Sequence, residues 1–206
     1  VIKIEPPGGD PWRHFDLRSM GYEHEFALNY GFELDNRGKR SLTVALERPG
    51  GPELVRKLCT EADIFVTNLI RRERWGLDAE TLQAINPTLI YAAVSGYGET
   101  GPDSDRTGFD YAAFWARSGI MALSGEPPSP PPFCRTGQGD HATSLNLLSA
   151  ILLALRVRDQ TGEGQRVEVS LMQTGMWTIA ADLAATAVSA EQPQRYDREK
   201  PWNPIR

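Results

Sequence analysis

The sequence predicts an α/β fold built on an open parallel sheet, and three observations predict it. Short apolar segments alternate with helical patterns of roughly ten residues, the order that places parallel strands between crossover helices. Residues 89–95 (LIYAAVS) form a nearly continuous apolar run, as expected of a strand covered on both faces. A third signal is a set of leucines that recur at helical spacing and share one face of a long helix, namely Leu145, Leu148, Leu152 and Leu155. The predicted class is Rossmann-like, with helices on both faces of the sheet.

Local signals place the remaining elements in order. Strands are predicted at residues 1–4, 41–46, 64–67, 89–95 and 165–170, and helices at 50–61, 78–84, 108–123, 143–159 and 171–190. Pro52 suits the first turn of a helix, and Asp78 is a preferred N-cap for the next one. Asn86-Pro87 then ends that helix. Residues 10–36 are polar and aromatic without a clear period, so we predict a loop with one helical turn.

Composition restricts the classes of function. The 206 residues are 40% hydrophobic and 24% charged, which is ordinary for a globular protein in water. A net charge of −5 gives a nucleic-acid partner no overall support. The longest apolar stretch, 147–155, is too short to span a bilayer. Neither the two cysteines nor the three histidines show metal-site spacing, so no metal is predicted, and reduced thiols in the cytoplasm fit best.

The predicted domain organisation is one large unit with a tail. Residues 1–190 read as a large α/β domain, and the polar, proline-containing run 191–206 reads as the start of a linker. Because the chain begins without Met inside a predicted strand, we expect a piece of a longer protein.

Asp140 is the strongest candidate for chemistry. It lies between glycines and a long apolar helix, in Gly137-Gln138-Gly139-Asp140. A helix start offers unpaired N–H groups and a positive dipole end, which lower the pKa of a capping carboxylate and keep it charged. An ionised, uncrowded carboxylate is a good nucleophile toward an activated acyl group. The simpler interpretation is that Asp140 is only an N-cap, and that His141 is only a first-turn residue.

Two other motifs resemble ligand-binding patterns. Residues 96–101 (GYGETG) match the dinucleotide-binding pattern, but a loop sequence follows where that pattern needs a helix, so we reject a nicotinamide or flavin site. Arg71-Arg72-Glu73-Arg74 follows the strand at 64–67, where ligands bind in open parallel sheets. The arginines suit phosphate groups, although a solvated charged surface explains them equally well.

At this point the chain resembles the family III CoA-transferases, also called the CaiB/BaiF family, and is formyl-CoA transferase-like. The resemblance rests on nine segments in the family's order. They are residues 1–5 (VIKIE) with 7–10 (PGGD), 36–41 (NRGKRS), 62–68 (ADIFVTN), 75–77 (WGL), 86–87 (NP), 95–102 (SGYGETGP), 139–140 (GD) and 156–169 (RVRDQTGEGQRVEV).

The resemblance implies an activity and a site. Family members transfer coenzyme A from an acyl-CoA to a carboxylic acid through an aspartyl anhydride and an aspartyl-CoA thioester. It implies that Asp140 is the nucleophile, that backbone N–H groups near Gly139 contact the oxyanion, and that CoA is a substrate with no tightly bound cofactor. CoA-contacting stretches align with Val44, Ala45, Asn68, Leu69, Ile70, Arg72, Arg74, Thr107, Phe109 and Asp110. The segment from Asn68 departs from the family's Asn-Phe-x-Pro-Gly and is about two residues shorter.

The resemblance also carries alternatives. Racemases of the same fold use a histidine in a Gly-His-Asp segment, and here Phe109 takes its place, which favours the transferase because phenylalanine cannot transfer a proton. A non-catalytic CoA-binding subunit or an inactive fragment stays open. Family dimers are interlocked, so we expect a homodimer. The first strand and helix, the small domain and the returning C-terminal segment of the family are expected to be missing.

Overall fold

The computed structural model describes residues 1–24 and 27–197. Residues 198–206 of the predicted linker lie outside the described residues. In chain order the strands are β1 (Ile2–Glu5), β2 (Arg40–Thr43), β3 (Ile64–Thr67), β4 (Ile90–Ser95) and β5 (Arg166–Ser170). The α-helices are α1 (Tyr30–Asn36), α2 (Gly51–Cys59), α3 (Ala79–Ile85), α4 (Ile120–Leu123), α5 (Gln138–Thr161), α6 (Leu171–Thr178) and α7 (Ala180–Ser189). A π-helix spans Asp110–Arg117, and 3-10 helices span Pro11–His14, Leu17–Met20 and Arg72–Trp75.

Every strand pairing is parallel, which confirms the predicted α/β class. The strands form two ladders, β1–β2 and β3–β4–β5. In the larger ladder Ala92 of β4 lies between Val66 of β3 and Val167 of β5, so β4 is the central strand.

Helices cover both faces of β4 because successive side chains of a strand point to opposite sides. Tyr91 and Ala93 pack with residues of α2 and α3, including Val55 and Leu82. On the other face Ala92 packs against α5. Tyr91 is completely buried, and its hydroxyl donates to the Leu77 carbonyl at 3.0 Å. The alternation confirms the prediction of helices on both faces.

Local capping explains why α2 and α3 begin where the sequence predicts. Pro52 lies in the first turn of α2, where its missing N–H costs no helical hydrogen bond. The Asp78 side chain accepts from the Thr81 N–H at 2.9 Å and caps α3. Asn86 follows that helix and donates to the carbonyls of Cys59 and Ala62, which fastens α3 to the end of α2.

The prediction for residues 10–36 was wrong in part. Two 3-10 helices and α1 form there, each begun by a side-chain cap from Asp10, Asp16 or Asn29. A second difference lies at residues 171–190, where the predicted single helix is divided at Ile179 into α6 and α7. Short capped helices escape detection because too few turns exist to show a 3.6-residue period.

The face of α5 that packs on the sheet is offset from the leucine face noted in the sequence. The side chains turned inward and buried are Thr143, Leu147, Ile151 and Ala154. Leu145, Leu148 and Leu152 are exposed among the described residues. Apolar residues nearly surround this helix, so spacing alone could not select the inward face. No described helix has the length and hydropathy needed to cross a membrane.

Candidate functional site

Asp110, the first residue of the π-helix, caps the start of α5. Its Oδ2 accepts from the Gly137 N–H at 2.6 Å and its Oδ1 from the Gly139 N–H at 3.0 Å. Gly137 is the N-cap residue, with φ of 83°, and glycine has no side chain that could cap the helix. The prediction that Asp140 caps this helix is therefore wrong. Asp140 is the third residue of α5, within its first turn, where its carboxylate is not needed for capping and is left for other contacts.

Gly139 is required by the close approach of α5 to the π-helix. A Cβ at this position would overlap Oδ1 of Asp110 and the ring of Phe114. Its N–H donates to Asp110 in this structure, and an oxyanion contact by backbone N–H groups near Gly139 stays a prediction. The buried Asp110 carboxylate needs hydrogen-bond donors, and the Gly137 and Gly139 amides supply them.

The Asp140 side chain is exposed to solvent, although the surrounding protein partly desolvates its carboxylate. Partial desolvation raises its pKa, the carboxylates of Asp110 and Asp35 raise it further, and His141 opposes the shift. The expectation that helix capping lowers the pKa of Asp140 is wrong because Asp110 holds the cap. Desolvation also raises the pKa of Asp110, against its two backbone hydrogen bonds. The Trp115 indole N–H lowers the pKa of Asp110, although it lies outside ordinary hydrogen-bonding geometry.

His141 contacts a residue far away in sequence. Its Nε2 lies 3.2 Å from Oδ1 of Asp35, near the end of α1. The Trp12 indole N–H donates to Oδ2 of the same carboxylate at 3.1 Å. Residues 10–36, predicted as a loop with one helical turn, thus supply Trp12 and Asp35 to the surroundings of the first turn of α5. Arg135 adds a contact with the same part of the chain by donating to the Met20 carbonyl at 2.8 Å.

Ion pairs join the loops that follow β2, β3 and β4. Glu47 after β2 pairs with Arg74 at 3.2 Å, and Asp105 in the loop after β4 pairs with Arg71 at 3.2 Å. Arg72 pairs with Glu99 of that same loop. Each of these loops follows the carboxyl end of a parallel strand, and the ion pairs bring together the loops that contain three segments predicted to contact CoA.

The two arginines predicted to bind CoA have different surroundings. Arg72 is 12% exposed, pairs with Glu99, donates to the Leu69 carbonyl and lies over the Tyr91 ring. Glu99 pairs with Arg166 of β5 as well. Arg74 is 56% exposed and stacks on Trp75 at 3.8 Å. The Arg72 guanidinium therefore contacts other residues of the protein and is largely covered, whereas Arg74 presents its guanidinium to solvent.

The remaining predicted CoA residues divide by burial. Val44 belongs to the core, whereas the neighbouring Ala45 is partly exposed. The segment after β3 is open, with Asn68 exposed and with Leu69 and Ile70 partly covered. Among the residues before the π-helix, Thr107 and Phe109 are exposed, whereas Asp110 is 5% exposed and holds α5. The side chain of Asp110 accepts from the Gly137 and Gly139 N–H groups, and a CoA contact at this residue stays a prediction.

Sequence reasoning missed three residues of the site. Glu99 was read only as part of a glycine-rich motif, although a carboxylate inside a turn near several arginines is a signal for an ion pair. Asp35 and Trp12 had no sequence signal, since their partners lie across the fold. In the described residues no group of three or more His, Cys, Asp or Glu is placed to hold a metal.

Fold and site together define a class of protein: an α/β domain with parallel strands, loops rich in arginine at the strand ends, and a carboxylate in the first turn of a long helix. The family model for CoA-transferase family III matches residues 1–206. The chain belongs to CoA-transferase family III.

Named relatives agree with this assignment. The chain is similar to cinnamoyl-CoA:phenyllactate CoA-transferase of Clostridium sporogenes, with 37% identity over 90% of this chain and 45% of the relative. It is similar to (R)-2-hydroxy-4-methylpentanoate CoA-transferase of Clostridioides difficile, with 36% identity over 100% of this chain and 51% of the relative. The crystal structure of a CaiB/BaiF family protein from Brucella suis superposes with a TM-score of 0.83 and 36% identity, over 98% of this chain and 53% of that one. The chain therefore spans about half the length of these relatives.

Proposed function

We propose that the whole protein transfers coenzyme A from an acyl-CoA to a carboxylic acid, with Asp140 as the covalent nucleophile. The family supports transfer of CoA, and the named relatives act on CoA thioesters of organic acids. Among the carboxylates at this site, Asp110 is committed to the start of α5, whereas Asp140 accepts no described hydrogen bond that would restrain it. This difference between the two carboxylates is the observation that carries the assignment.

The proposed chemistry balances without an added reactant. An Asp140 oxygen attacks the thioester carbonyl, the C–S bond breaks, and CoA thiolate leaves from an aspartyl anhydride. The thiolate attacks the Asp140 carbonyl carbon, the anhydride C–O bond breaks, and the donor acid leaves as its carboxylate. The acceptor carboxylate then attacks the aspartyl-CoA thioester, and the same two steps run in reverse. Splitting the transfer into acyl exchanges of this kind is covalent catalysis.

The chain's own residues supply orientation. Asp110 fixes the first turn of α5, and Gly139 lets that turn lie close to the π-helix. Arg74 faces solvent at the edge where CoA is expected, and its guanidinium can donate two hydrogen bonds to a phosphate. The interlocked homodimer and the cytoplasmic location remain predictions of this proposal. So do CoA contacts by Val44, Ala45, Asn68, Leu69, Ile70, Arg72, Thr107, Phe109 and Asp110.

The test compares the full-length protein with its Asp140→Asn variant. Asparagine keeps the side-chain shape but cannot attack a thioester, so we expect normal folding, retained CoA binding and a loss of turnover of at least a thousandfold. Donors and acceptors would include cinnamoyl-CoA, phenyllactate and 2-hydroxy-4-methylpentanoate. Hydroxylamine added with acyl-CoA should convert Asp140 to a hydroxamate, visible as a mass change on its peptide.

Other outcomes separate the alternatives. Substantial transfer by Asp140→Asn would remove Asp140 as the nucleophile. If the wild type catalyses deuterium uptake at the acyl α-carbon without acyl transfer, the protein is a racemase instead of a transferase. Binding of CoA without transfer or adduct across the panel would favour the non-catalytic CoA-binding subunit.

A further inference from the structure

Arg71 has a backbone conformation that residues with a side chain rarely adopt. Its φ is 54° and its ψ is 40°, in the left-handed region, and Ala190 is the only other non-glycine residue with positive φ among the described residues. This conformation is strained because Cβ comes too close to the following carbonyl oxygen. Arg71 lies between residues 68–70 and Arg74, all predicted to contact CoA. Strain of this kind persists only where surrounding contacts hold it.

One of three ion pairs is placed to hold this segment. Three arginines lie within four residues, so their mutual repulsion also disfavours a compact turn. Arg71 and Arg74 pair at 3.2 Å with carboxylates that are 67% and 75% exposed, and such exposed pairs contribute little. In the remaining pair, Arg72 and Glu99 are both only 12% exposed. This covered pair is therefore the contact that can oppose the strain.

Glu99 contacts arginines from two separate parts of the chain. Its Oε1 accepts from Nη2 of Arg72, and its Oε2 accepts from Nη2 of Arg166 at the start of β5. Arg72 also donates through Nη1 to the Leu69 carbonyl at 3.1 Å, and its guanidinium carbon lies 5.5 Å from the centroid of the Tyr91 ring. The Arg72 side chain thus reaches back to Leu69 and closes the strained turn, with Glu99 holding the guanidinium in place.

The loop that contains Glu99 is itself anchored. Asp103 of this loop accepts from Nη2 of Arg117, the last residue of the π-helix, at 2.7 Å. The same π-helix begins at Asp110, whose carboxylate accepts from the first turn of α5. One continuous set of contacts therefore connects the turn after β3 with the helix that contains Asp140.

We propose that Glu99 is a positioning residue that holds the turn at residues 68–75 in the conformation that binds CoA, against the left-handed strain at Arg71. The inference rests on the proposed binding of CoA by this segment. Glu99 acts through Arg72. Without this ion pair the strain favours a relaxed turn in which Arg74 is displaced, and the apparent affinity for CoA falls with the fraction of molecules that keep the binding conformation.

The first measurement is the affinity of the full-length Glu99→Gln variant for CoA, by calorimetry. Glutamine keeps the side-chain shape and one acceptor oxygen, so the protein should fold, but the charge that holds Arg72 is lost. We expect the dissociation constant to rise about tenfold, the equilibrium factor that matches the left-handed penalty of one residue. Hydroxamate formation at Asp140 under saturating acyl-CoA should match wild type. Glu168→Gln is the control and should bind CoA as wild type does, because it removes only the exposed partner of Arg166 at 3.2 Å.

Paired substitutions at position 71 separate backbone strain from charge. Arg71→Gly and Arg71→Ala both remove the guanidinium, but only glycine adopts a φ of 54° without penalty. In the Glu99→Gln background, the glycine variant should bind CoA about tenfold more tightly than the alanine variant. With Glu99 intact the two should differ less, because the ion pair already holds the turn. Equal affinities of the two variants in the Glu99→Gln background would overturn the inference.

Hydrogen exchange follows the turn without CoA. The Gly76 amide donates to the Glu73 carbonyl at 2.9 Å and the Leu77 amide to the Arg72 carbonyl at 3.2 Å, so both should exchange faster in Glu99→Gln. Faster exchange with unchanged CoA affinity overturns the inference, since Glu99 would then serve stability alone. Weaker binding with unchanged exchange overturns it as well, since Glu99 would then act on CoA directly.

Two further outcomes separate this inference from the proposed function. If exchange becomes faster but no protein binds CoA, wild type included, Glu99 still holds the turn and the proposed function fails. If the wild type transfers CoA and Glu99→Gln matches it in both affinity and exchange, the proposed function stands and the inference fails.

Discussion

The Gly139 N–H and Oδ1 of Asp110, 3.0 Å apart, connect the start of α5 to the start of the π-helix. Phe114 of the same π-helix lies where a Gly139 side chain would be. One glycine therefore permits both the hydrogen bond and the packing. Because Asp140 is the next residue, the precision of this contact determines where its carboxylate lies.

Replacing Gly139 by alanine should be strongly destabilising. The new methyl group overlaps Asp110 and Phe114, and relieving the overlap moves buried atoms, at a cost of about 3 kcal/mol. Urea unfolding of the full-length protein measures this cost. Gly8→Ala is the matched control, since nothing lies within 4 Å of a Cβ at that position. Equal stability of the two variants would contradict the close approach.

Asp110→Asn should weaken the start of α5 without removing its bulk. An amide has one acceptor oxygen, so one of the two N–H groups of Gly137 and Gly139 loses its partner and faces an NH₂ group. We expect a loss of about 1–3 kcal/mol in the free energy of unfolding, the cost of a buried unsatisfied donor. Hydrogen exchange at the Gly139 amide should become faster. Unchanged protection of that amide would show that Asp110 is not the cap.

Arg74→Ala should weaken CoA binding. Loss of a hydrogen bond to a charged phosphate corresponds to about 1.5–3 kcal/mol, or roughly ten- to a hundredfold in the dissociation constant measured by calorimetry. Glu47→Gln is the control, because it removes the anion that pairs with Arg74 at 3.2 Å. CoA should bind that variant at least as tightly as wild type. If Glu47→Gln binds CoA more weakly and Arg74→Ala has no effect, Arg74 belongs to a solvated charged surface and does not bind CoA.

Arg72→Ala should instead affect folding. Its guanidinium bridges the Leu69 carbonyl and Glu99, both in largely covered positions, and its loss leaves Glu99 with only Arg166. Breaking a buried ion pair costs about 3 kcal/mol in the free energy of unfolding. Chemical denaturation measures the loss. A variant as stable as wild type but unable to bind CoA would reverse the roles of Arg72 and Arg74.

The Glu5–Arg13 pair predicts a dependence of stability on pH. Glu5 is 4% exposed, and its hydrogen bonds from Arg13, at 2.6 and 2.8 Å, lower its pKa from 4.5 to about 2. A lowered pKa in the folded state means that this contribution is fully present above pH 4.5 and is lost as the pH falls through about 2.

Glu5→Gln should therefore destabilise the protein at pH 7 by about 1–3 kcal/mol, and the gap to wild type should narrow toward pH 2. Urea titrations at pH 7, 4.5 and 3 follow the gap. The control is Asp105→Asn, which breaks an exposed pair with Arg71 and should cost less than about 1 kcal/mol. A gap that is constant with pH would contradict the assigned ionisation of Glu5.

Much of the fold was predictable because it is encoded locally. The apolar run at 89–95 became the central strand β4, and Asp78 capped α3 as its residue type indicates. The strand boundaries differ from the predicted ones by at most one residue, except at the end of β2, which comes three residues earlier. The inward face of α5 was not predictable, because apolar residues occur around the helix and only the position of the sheet selects among them.

By itself the sequence determined the alternation of parallel strands and helices, the family, and the prominence of Asp140 among its carboxylates. Periodicity, caps and motifs are properties of neighbouring residues, so they can be read without a fold. Only the tertiary structure decided that Asp110 caps α5 from 29 residues away and that Asp35 meets His141 across 106 residues. The ionisation of Asp140 depends on those neighbours and on burial, which exist only after the chain has folded.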